Sequence, residues 1–563
     1  MKKYFIVFSS ILLLATFSAN AQIIYVKHDA TGTNTGNSWE NAFTSLQSAL
    51  GIAVSGDQIW VARGTYKPSY DYGLGGGARY YHFRMIDGVA IYGGFAGTET
   101  LVSQRTDFGE GGNNETILSA DLNGDDILVG DGNLISISNN SENCYHVFMH
   151  PSAMTPLLTN TAILDGFTIT GGNADGTVAP YTSGGGILCD KNSPTLNQLI
   201  IKYNFAKGGG GITISGDEIN PGNNNTKLTN SVIKNNLSSG SGAGVNMANC
   251  SADAEVINCT ISGNKTTLNP GSFNQGGAGV RIYHRAKFIN CIIENNWAPD
   301  CTAGGGGAFI DYGTFWGSQG IFFINCTIIN NYAKNGGGTN YVITGGEFRN
   351  CILWGNTDQN GVSNYIGSSF AYCNTYPLPS GTGNISIYPD FVDPLSKDFR
   401  ICGNSICVNS GNNAYNSQLS DIRGQVRIQN TTIDMGAYEF TSGVDPIRYY
   451  VKHDASGLNN GTTWENAFTS LQSALNVATA ISEIWVAKGT YKPSYDYGIG
   501  GGLRFNHFRM INGVSIYGGF AGNEISINQR SDFGEGEVNE TILSADINDD
   551  DVVAGSGSNL SIT

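Results

Sequence analysis

Residues 323–338 read FINCTIINNYAKNGGG. Cysteine, paired asparagines and a glycine run all carry chemistry elsewhere. The stretch is a metal site, a reactive thiol or one rung of a scaffold, and its recurrence decides among them. The phrase returns as LDGFTI from Leu164, LNQLII from Leu196, LTNSVI from Leu228, VINCTI from Val256, FINCII from Phe288, FINCTI from Phe323 and FRNCIL from Phe348, with starts 25 to 35 residues apart. Counting each start as zero, positions zero and five are apolar in all seven copies. Position two is Asn230, Asn258, Asn290, Asn325 and Asn350 in five of them. Position eight is Asn204, Asn236, Asn264, Asn296, Asn331 and Asn356 in six. Position three runs Phe167, Leu199, Ser231, Cys259, Cys291, Cys326 and Cys351.

A half-buried strand that alternates strictly would bury zero, two and four. Here zero, three and five are the buried set, so the parity switches at the asparagine. A bend there needs a residue that tolerates left-handed backbone, and asparagine does. Stacked asparagine amides also hydrogen-bond along a column. Glycine clusters follow most rungs and permit tight corners. No rung buries its apolar face alone, so stacking must supply the core. The pattern predicts an all-β chain, a parallel β-helix. In such a stack the four cysteines form a straight column with about 4.8 Å per step. A column cannot converge on one zinc ion at about 2.3 Å, and in-register neighbours are poorly placed for a disulfide. These cysteines read as small buried hydrophobes. Cys402 and Cys407 flank a short loop, a suitable place for a disulfide in an exported chain.

A second, larger repeat is nearly perfect. YVKHDA at Tyr25 returns at Tyr450, SWENAFTSLQSAL (38–50) returns as TWENAFTSLQSAL (463–475), and ETILSAD (115–121) returns at 540–546, every pair offset by 425 residues. The expected organisation is a module at 22–443, a linker at 444–448 and the truncated start of a second copy at 449–563. Lys2, Lys3, the apolar run Ile6–Phe17 and Ala19-Asn20-Ala21 mark residues 1–21 as a secretory signal peptide. ENAFTSLQSALGIA (40–53) is the one clear amphipathic pattern, with Phe43, Leu46, Leu50 and Ala53 on one face. A helix there would cap the exposed edges of the first coil. The formal charge of −16 argues against a nucleic-acid partner. No apolar run after the leader is long enough to span a bilayer.

The NNxA…GGG units (NNWAPDCTAGGGGAF, NNYAKNGGG) resemble the GGA-type repeats of polymorphic outer-membrane proteins of Gram-negative bacteria. The opening, IIYVKHDATG…GDQIWVARGTYKP…GVAIYGGFAGTET, resembles the N-terminal part of secreted right-handed β-helix proteins of the pectin-lyase-like superfold. YPDFVDP…DIRGQVRIQNTTIDMGAYEF, at about 388–440, is similar to the choice-of-anchor Q domain. These resemblances imply a right-handed parallel β-helix that is secreted or exposed at the cell surface in association with the outer membrane.

Enzymes share this superfold, but a fold alone does not license an activity. A lyase needs carboxylates gathered on Ca²⁺ and a base, and a hydrolase needs paired carboxylates. Along the rungs outward carboxylates are sparse: Glu294, with Asp165, Asp217 and Glu218 scattered. GVRIYHRAKF (279–288) is the only basic strand. If strand parity holds it puts Arg281, Tyr283 and Arg285 on one face beside His284, a candidate saccharide or uronate contact. The loop ADLNGDD (120–126) and its copy ADINDDD (545–551) space Asp121, Asn123 and Asp125, and Asp546, Asn548 and Asp550, as oxygen ligands for a structural Ca²⁺. No other cofactor is indicated. Tyrosines in KPSYDYG and RYYHFR read as packing. The sequence favours a surface β-helix that contacts extracellular polysaccharide or cell-surface glycans without catalysis. The alternative is a polysaccharide lyase or glycoside hydrolase.

Overall fold

A computed structural model describes residues 21–217, 223–267, 276–301, 304–310, 320–341, 346–394, 397–441, 448–478, 482–524, 527–554 and 561–562. Residues 1–20 of the expected leader lie outside the described residues, as do Glu218 and positions 444–447 of the expected linker. The chain divides into two compact units, Met1–Asn384 and Ile385–Thr563.

From Ile163 to Tyr341, among the described residues, each turn of chain lays down four strands. Thr195–Asn197 joins a first sheet of eleven strands, and Ile200–Lys202 a second of ten. Phe205–Gly208 joins a third of eight, and Ile212–Ser215 a fourth of seven. The strands of these turns pair in parallel with their equivalents in neighbouring turns, and Leu196 lies between Leu164 and Leu228; the third sheet ends in an antiparallel pair, Thr357–Asp358 with Gly361–Val362. The architecture is the parallel β-helix that the rungs predict. Rings at position zero stack along the axis, Phe288, Phe323, Phe348 and Phe370 having successive centroids 5.0, 4.7 and 5.1 Å apart. That is the strand spacing itself. Phe370 opens a further rung, FAYCNT (370–375), which the sequence count misses because Tyr372 and Leu378 replace the two asparagines.

What reads as one bent strand is two strands in two sheets. Position two is the corner between the first and second sheets. Its asparagines are left-handed, with φ of 50° at Asn230, 53° at Asn258 and Asn290, 52° at Asn325 and 54° at Asn350. Position seven is a second corner, with Asn235, Asn295 and Asn330 at φ of 54°, 52° and 55°.

Two amide columns run along the stack. At position two, Nδ2 of each asparagine donates to Oδ1 of the one before, as in Asn290 to Asn258 at 3.1 Å and Asn350 to Asn325 at 3.0 Å. The column at position eight is fully buried and denser. Asn331 Nδ2 donates to the carbonyls of Ile293 and Ile329 and to Asn356 Oδ1, while its own Oδ1 accepts from both N–H and Nδ2 of Asn296. The glycines explain themselves here. A β-carbon on Gly307 would lie 2.7 Å from the Gly338 carbonyl oxygen and 3.0 Å from Asn331 Nδ2. The fourth-sheet corner thus approaches the amide column too closely for any side chain.

The thiol column is masonry, as expected. Cys259, Cys291, Cys326, Cys351 and Cys373 are fully buried. Each thiol donates to the carbonyl two residues earlier, as Cys291 does to Ile289 at 3.3 Å, and the Cys291 N–H lies 3.4 Å from Cys326 Sγ. Ser231, one coil above Cys259, does the same work with a hydroxyl. Among the described residues no disulfide is formed, which corrects the expectation for Cys402 and Cys407; both side chains are buried in their unit.

The helix expected over 40–53 is shorter, Leu46–Leu50. Phe43 is already bridged to Val26 as β-structure, so the helix starts only after the Ser45 cap, whose side chain accepts from the Gln47 N–H. Leu46, Ala49 and Leu50 seal the first coil. In the second unit Arg448–Val451, Glu483–Ala487 and Ser515–Phe520 repeat the opening of the first sheet, with a helix at Leu471–Val477. The segment before them, to residue 441, carries a buried ionic cage. Arg427 and Glu439 are each 1 % exposed, 3.9 Å apart. Asp421 and Asp434 accept backbone N–H groups around them. Burial, with the charge of Asp434, pushes Glu439 up to about 8 against the pull of Arg427. Burial wins because the guanidinium also serves the Gly436 carbonyl and stands off the carboxylate.

Two outcomes follow. Asn331→Ala removes an amide engaged in every direction and should cost about 3 kcal/mol or more, whereas Asn258→Ala, in the less buried column, should cost about 1 kcal/mol; urea midpoints measure both. Glu439 titrates higher folded than unfolded, so the folded state holds the extra proton. The stability it adds is complete below about pH 4.5 and falls as pH rises through about 8. Glu439→Gln should flatten that part of the melting-temperature profile.

Candidate functional site

The fourth sheet carries the most developed surface of the first unit. Its strands alternate strictly: Ile187, Cys189, Ile212 and Ile214 enter the core. The intervening Leu188, Asp190, Thr213, Ser215 and Asn246 point outward and stack in register. Turns at 151–153 and 179–183 rise on either side. Together they enclose a cavity of about 550 Å³. In the outward row Leu188, Thr213 and Asn246 are only 5 %, 4 % and 8 % exposed.

Among the described residues of the lining, Asp190 is the single ionisable side chain, and Ser215 Oγ donates to its Oδ1 at 3.1 Å. Lys191 turns away to Asp217, 3.0 Å distant. The floor therefore offers a carboxylate, an amide and two hydroxyls, flanked by proline and alanine. Such a surface exchanges hydrogen bonds with a polyhydroxylated ligand and supplies no matched acid and base.

The basic strand lies one coil further. Arg281 pairs in register with Asn246, and its Nη1 donates to Asn246 Oδ1 at 3.2 Å. Tyr283 shares that face, its ring centroid 5.9 Å from the Arg281 guanidinium carbon. His284 and Arg285 do not join them. The strand ends at Tyr283, and His284 is a corner residue at φ 98°, turned inward and 7 % exposed. Parity does not cross a corner, and Arg285 falls beyond it. Burial and the neighbouring Arg285 hold His284 below its ordinary value. The scattered carboxylates are spoken for: Asp165 is buried against Arg105 at 2.8 Å, and Glu294 is 5 % exposed.

The acidic loops do assemble. Carboxylate oxygens of Asp121, Asp125 and Glu142 lie within 4.8 Å of one another, as do those of Asp546, Asp550 and Asp551 in the second copy. Each group can hold a metal ion. Asn123 and Asn548 stand exposed in the same loops. Glu142 carries no spacing signal. A hairpin, Ile127–Val129 against Ser136–Ser138, returns the chain to the loop and brings Glu142 with it. Burial, then the charges of Asp121, Glu142 and Asp125, hold the adjacent Asp126 up at about 6. The tyrosines pack as expected: Tyr80, Tyr145 and Tyr181 meet with centroids 4.9 to 5.3 Å apart, and Arg79 caps Tyr145 at 4.2 Å while pairing with Asp175.

No protein-family pattern matches the chain, and no curated protein does either. Among solved structures it is similar to pectate lyase Pel9A, at 16 % identity over 75 % of this chain and 97 % of that one, with a TM-score of 0.39. It is similar to a rhamnogalacturonan lyase at 12 % identity over 68 % and 94 %, with a TM-score of 0.33. It is similar to XylC, solved in complex with xylose, at 11 % identity over 74 % and 98 %, with a TM-score of 0.30. Likeness at this level bears on neither activity nor ligand, and the fold rests on the strand pairing described above. Among the described residues no helix is long and apolar enough to cross a membrane.

Proposed function

We propose that this chain is an exported β-helix that holds a polysaccharide in the fourth-sheet groove without cleaving it. The observation that carries the reading is the groove itself. Its volume of about 550 Å³ suits a few sugar rings. Its floor supplies acceptors and donors in two short rows, Thr213 beside Asn246 and Asp190 beside Ser215, each pair one strand spacing apart. A hydrolase would place two carboxylates about the scissile bond, and a lyase would gather several on a cation beside a base. Among the described residues Asp190 is the one carboxylate in this lining. The same residue, in a chain of formal charge −16, favours a neutral glycan over a polyuronate. The leader and the likeness of the NNxA…GGG units to surface-protein repeats support a site at or beyond the cell surface.

The test is binding to a panel of neutral and acidic polysaccharides, together with an absorbance assay for unsaturated products. Neutral glycans should be retained. Asp190→Ala and Asn246→Ala should each weaken retention about tenfold, the loss of one good hydrogen bond to a buried polar group. Product absorbance that disappears in Arg281→Ala would replace this reading with the lyase. Silence across the whole panel would remove the groove as a ligand site.

A second reading concerns the acidic loops. The return of Glu142 to Asp121 and Asp125 favours a structural Ca²⁺ in the first copy, stapling a loop rather than joining a reaction, and Asp546, Asp550 and Asp551 offer a corresponding group in the second. Calcium should then raise the melting temperature by mass action. Glu142→Gln should lose most of that rise in the first copy; a variant stabilised as strongly as the parent would end the proposal.

A further inference from the structure

The two copies of the opening module form an internal comparison, and they differ where the second meets the segment before it. Tyr388, Phe391 and Asp393 face Arg448, Glu483 and Trp485 across a cleft with only about 10 Å³ of free space. The compact unit that contains the second copy begins at Ile385, so this segment packs with the copy that follows it in sequence. Arg448 lies flat on Trp485, its guanidinium carbon 3.9 Å from the ring centroid, and Nε donates to Glu483 Oε2 at 3.1 Å. Both side chains are largely buried, 14 % and 10 % exposed. With the offset of 425 residues, the first copy has Ile23 and Gln58 at these two places and keeps the tryptophan as Trp60.

We infer that the outer face of the second copy's first sheet is a socket for the segment 388–394, and that the exchange of Ile and Gln for Arg448 and Glu483 is what makes it one. The segment brings Asp390 and Asp393 to the socket, and Glu483 adds a third carboxylate. Arg448 interacts with Asp390 and Glu483. It is the cation that pays for gathering them. The tryptophan supplies a flat apolar floor in both copies, whereas the two charges are found in the second copy and not in the first. A buried ion group of this kind adds little net stability but penalises every alternative partner that lacks the matching charges. The socket thus works as an address between consecutive modules.

Hydrogen exchange on the full chain tests the inference, read on peptides spanning 385–394 and, as a fold control, on the strands Arg448–Val451 and Glu483–Ala487. Arg448→Ile removes the counter-charge that faces Asp390 and Glu483 and should speed exchange of 385–394 at least about tenfold, the order expected when a buried group loses its counter-charge. Adding Glu483→Gln should recover part of that protection, because it removes one repelling charge. Glu483→Gln alone should leave the segment docked. Unchanged exchange in Arg448→Ile would overturn the inference. So would loss of protection in the control strands to the same degree, since Arg448 would then hold its own sheet rather than its neighbour, and so would a double variant more open than the single one.

Discussion

The buried amide of position eight is the constraint on which the rest of the first unit depends. A primary amide has two donors and one strong acceptor, and here all are committed along the axis of the stack or to the adjacent backbone. The commitment fixes coil-to-coil register, because a slip of one residue would bury these groups without partners. It also dictates composition on the far side of the coil. The fourth-sheet corner must come close enough to cover the amides, and at Gly307 the approach leaves no space for a β-carbon. Asparagine at one place and glycine at another are therefore one device seen at two points of the turn.

The same device explains how a uniform scaffold makes a local site. Inward residues and corner residues answer to the stack; outward residues do not. On the fourth sheet the outward row changes coil by coil, from Leu188 through Thr213 and Asn246 to Arg281, while Ile187, Ile212, Val245 and Val280 repeat beneath it. Chain added between strands cannot disturb the columns, so it collects as walls. The groove is the place where such walls flank a polar row. The thiol column makes the complementary point. Ser231 stands in the cysteine column with its hydroxyl donating as the thiols do, and Phe167 and Leu199 fill the same column, so position three needs no sulfur chemistry.

Much of this was legible in the sequence because a solenoid writes its geometry periodically. Seven rungs gave the inward positions, the left-handed corner at position two and the inert thiols. The corner at position seven was harder to see because asparagine, glycine and tyrosine share it: Asn235, Gly263 and Tyr203 all adopt φ between 54° and 63°. The groove was not legible, since its walls at 151–153 and 179–183 belong to no repeat. Nor was Glu142, which reaches its partners through a hairpin that interrupts the helix rather than through spacing. The reading of Arg281, Tyr283 and Arg285 as one face failed at His284, because alternation is a property of one strand and a coil changes sheets without announcing it in hydrophobicity.

A repeat also turns a single chain into its own mutant series. Trp60 Nε1 donates to Gln58 Oε1 at 2.9 Å, and Trp485 Nε1 donates to Glu483 Oε2 at 3.1 Å. The hydrogen bond is kept while the charge behind it changes. Glutamine already suffices to orient the indole, so that bond gives no reason for a carboxylate at 483. Burying it raises its pKa through desolvation, a cost that Arg448 offsets only in part. An unneeded buried charge calls for an explanation outside the strand that carries it, and what the second copy has beside it at this surface is the segment that ends in Asp393 and Pro394. The physical argument runs from a cost that one copy bears and its twin does not, to the neighbour on whose account it is borne.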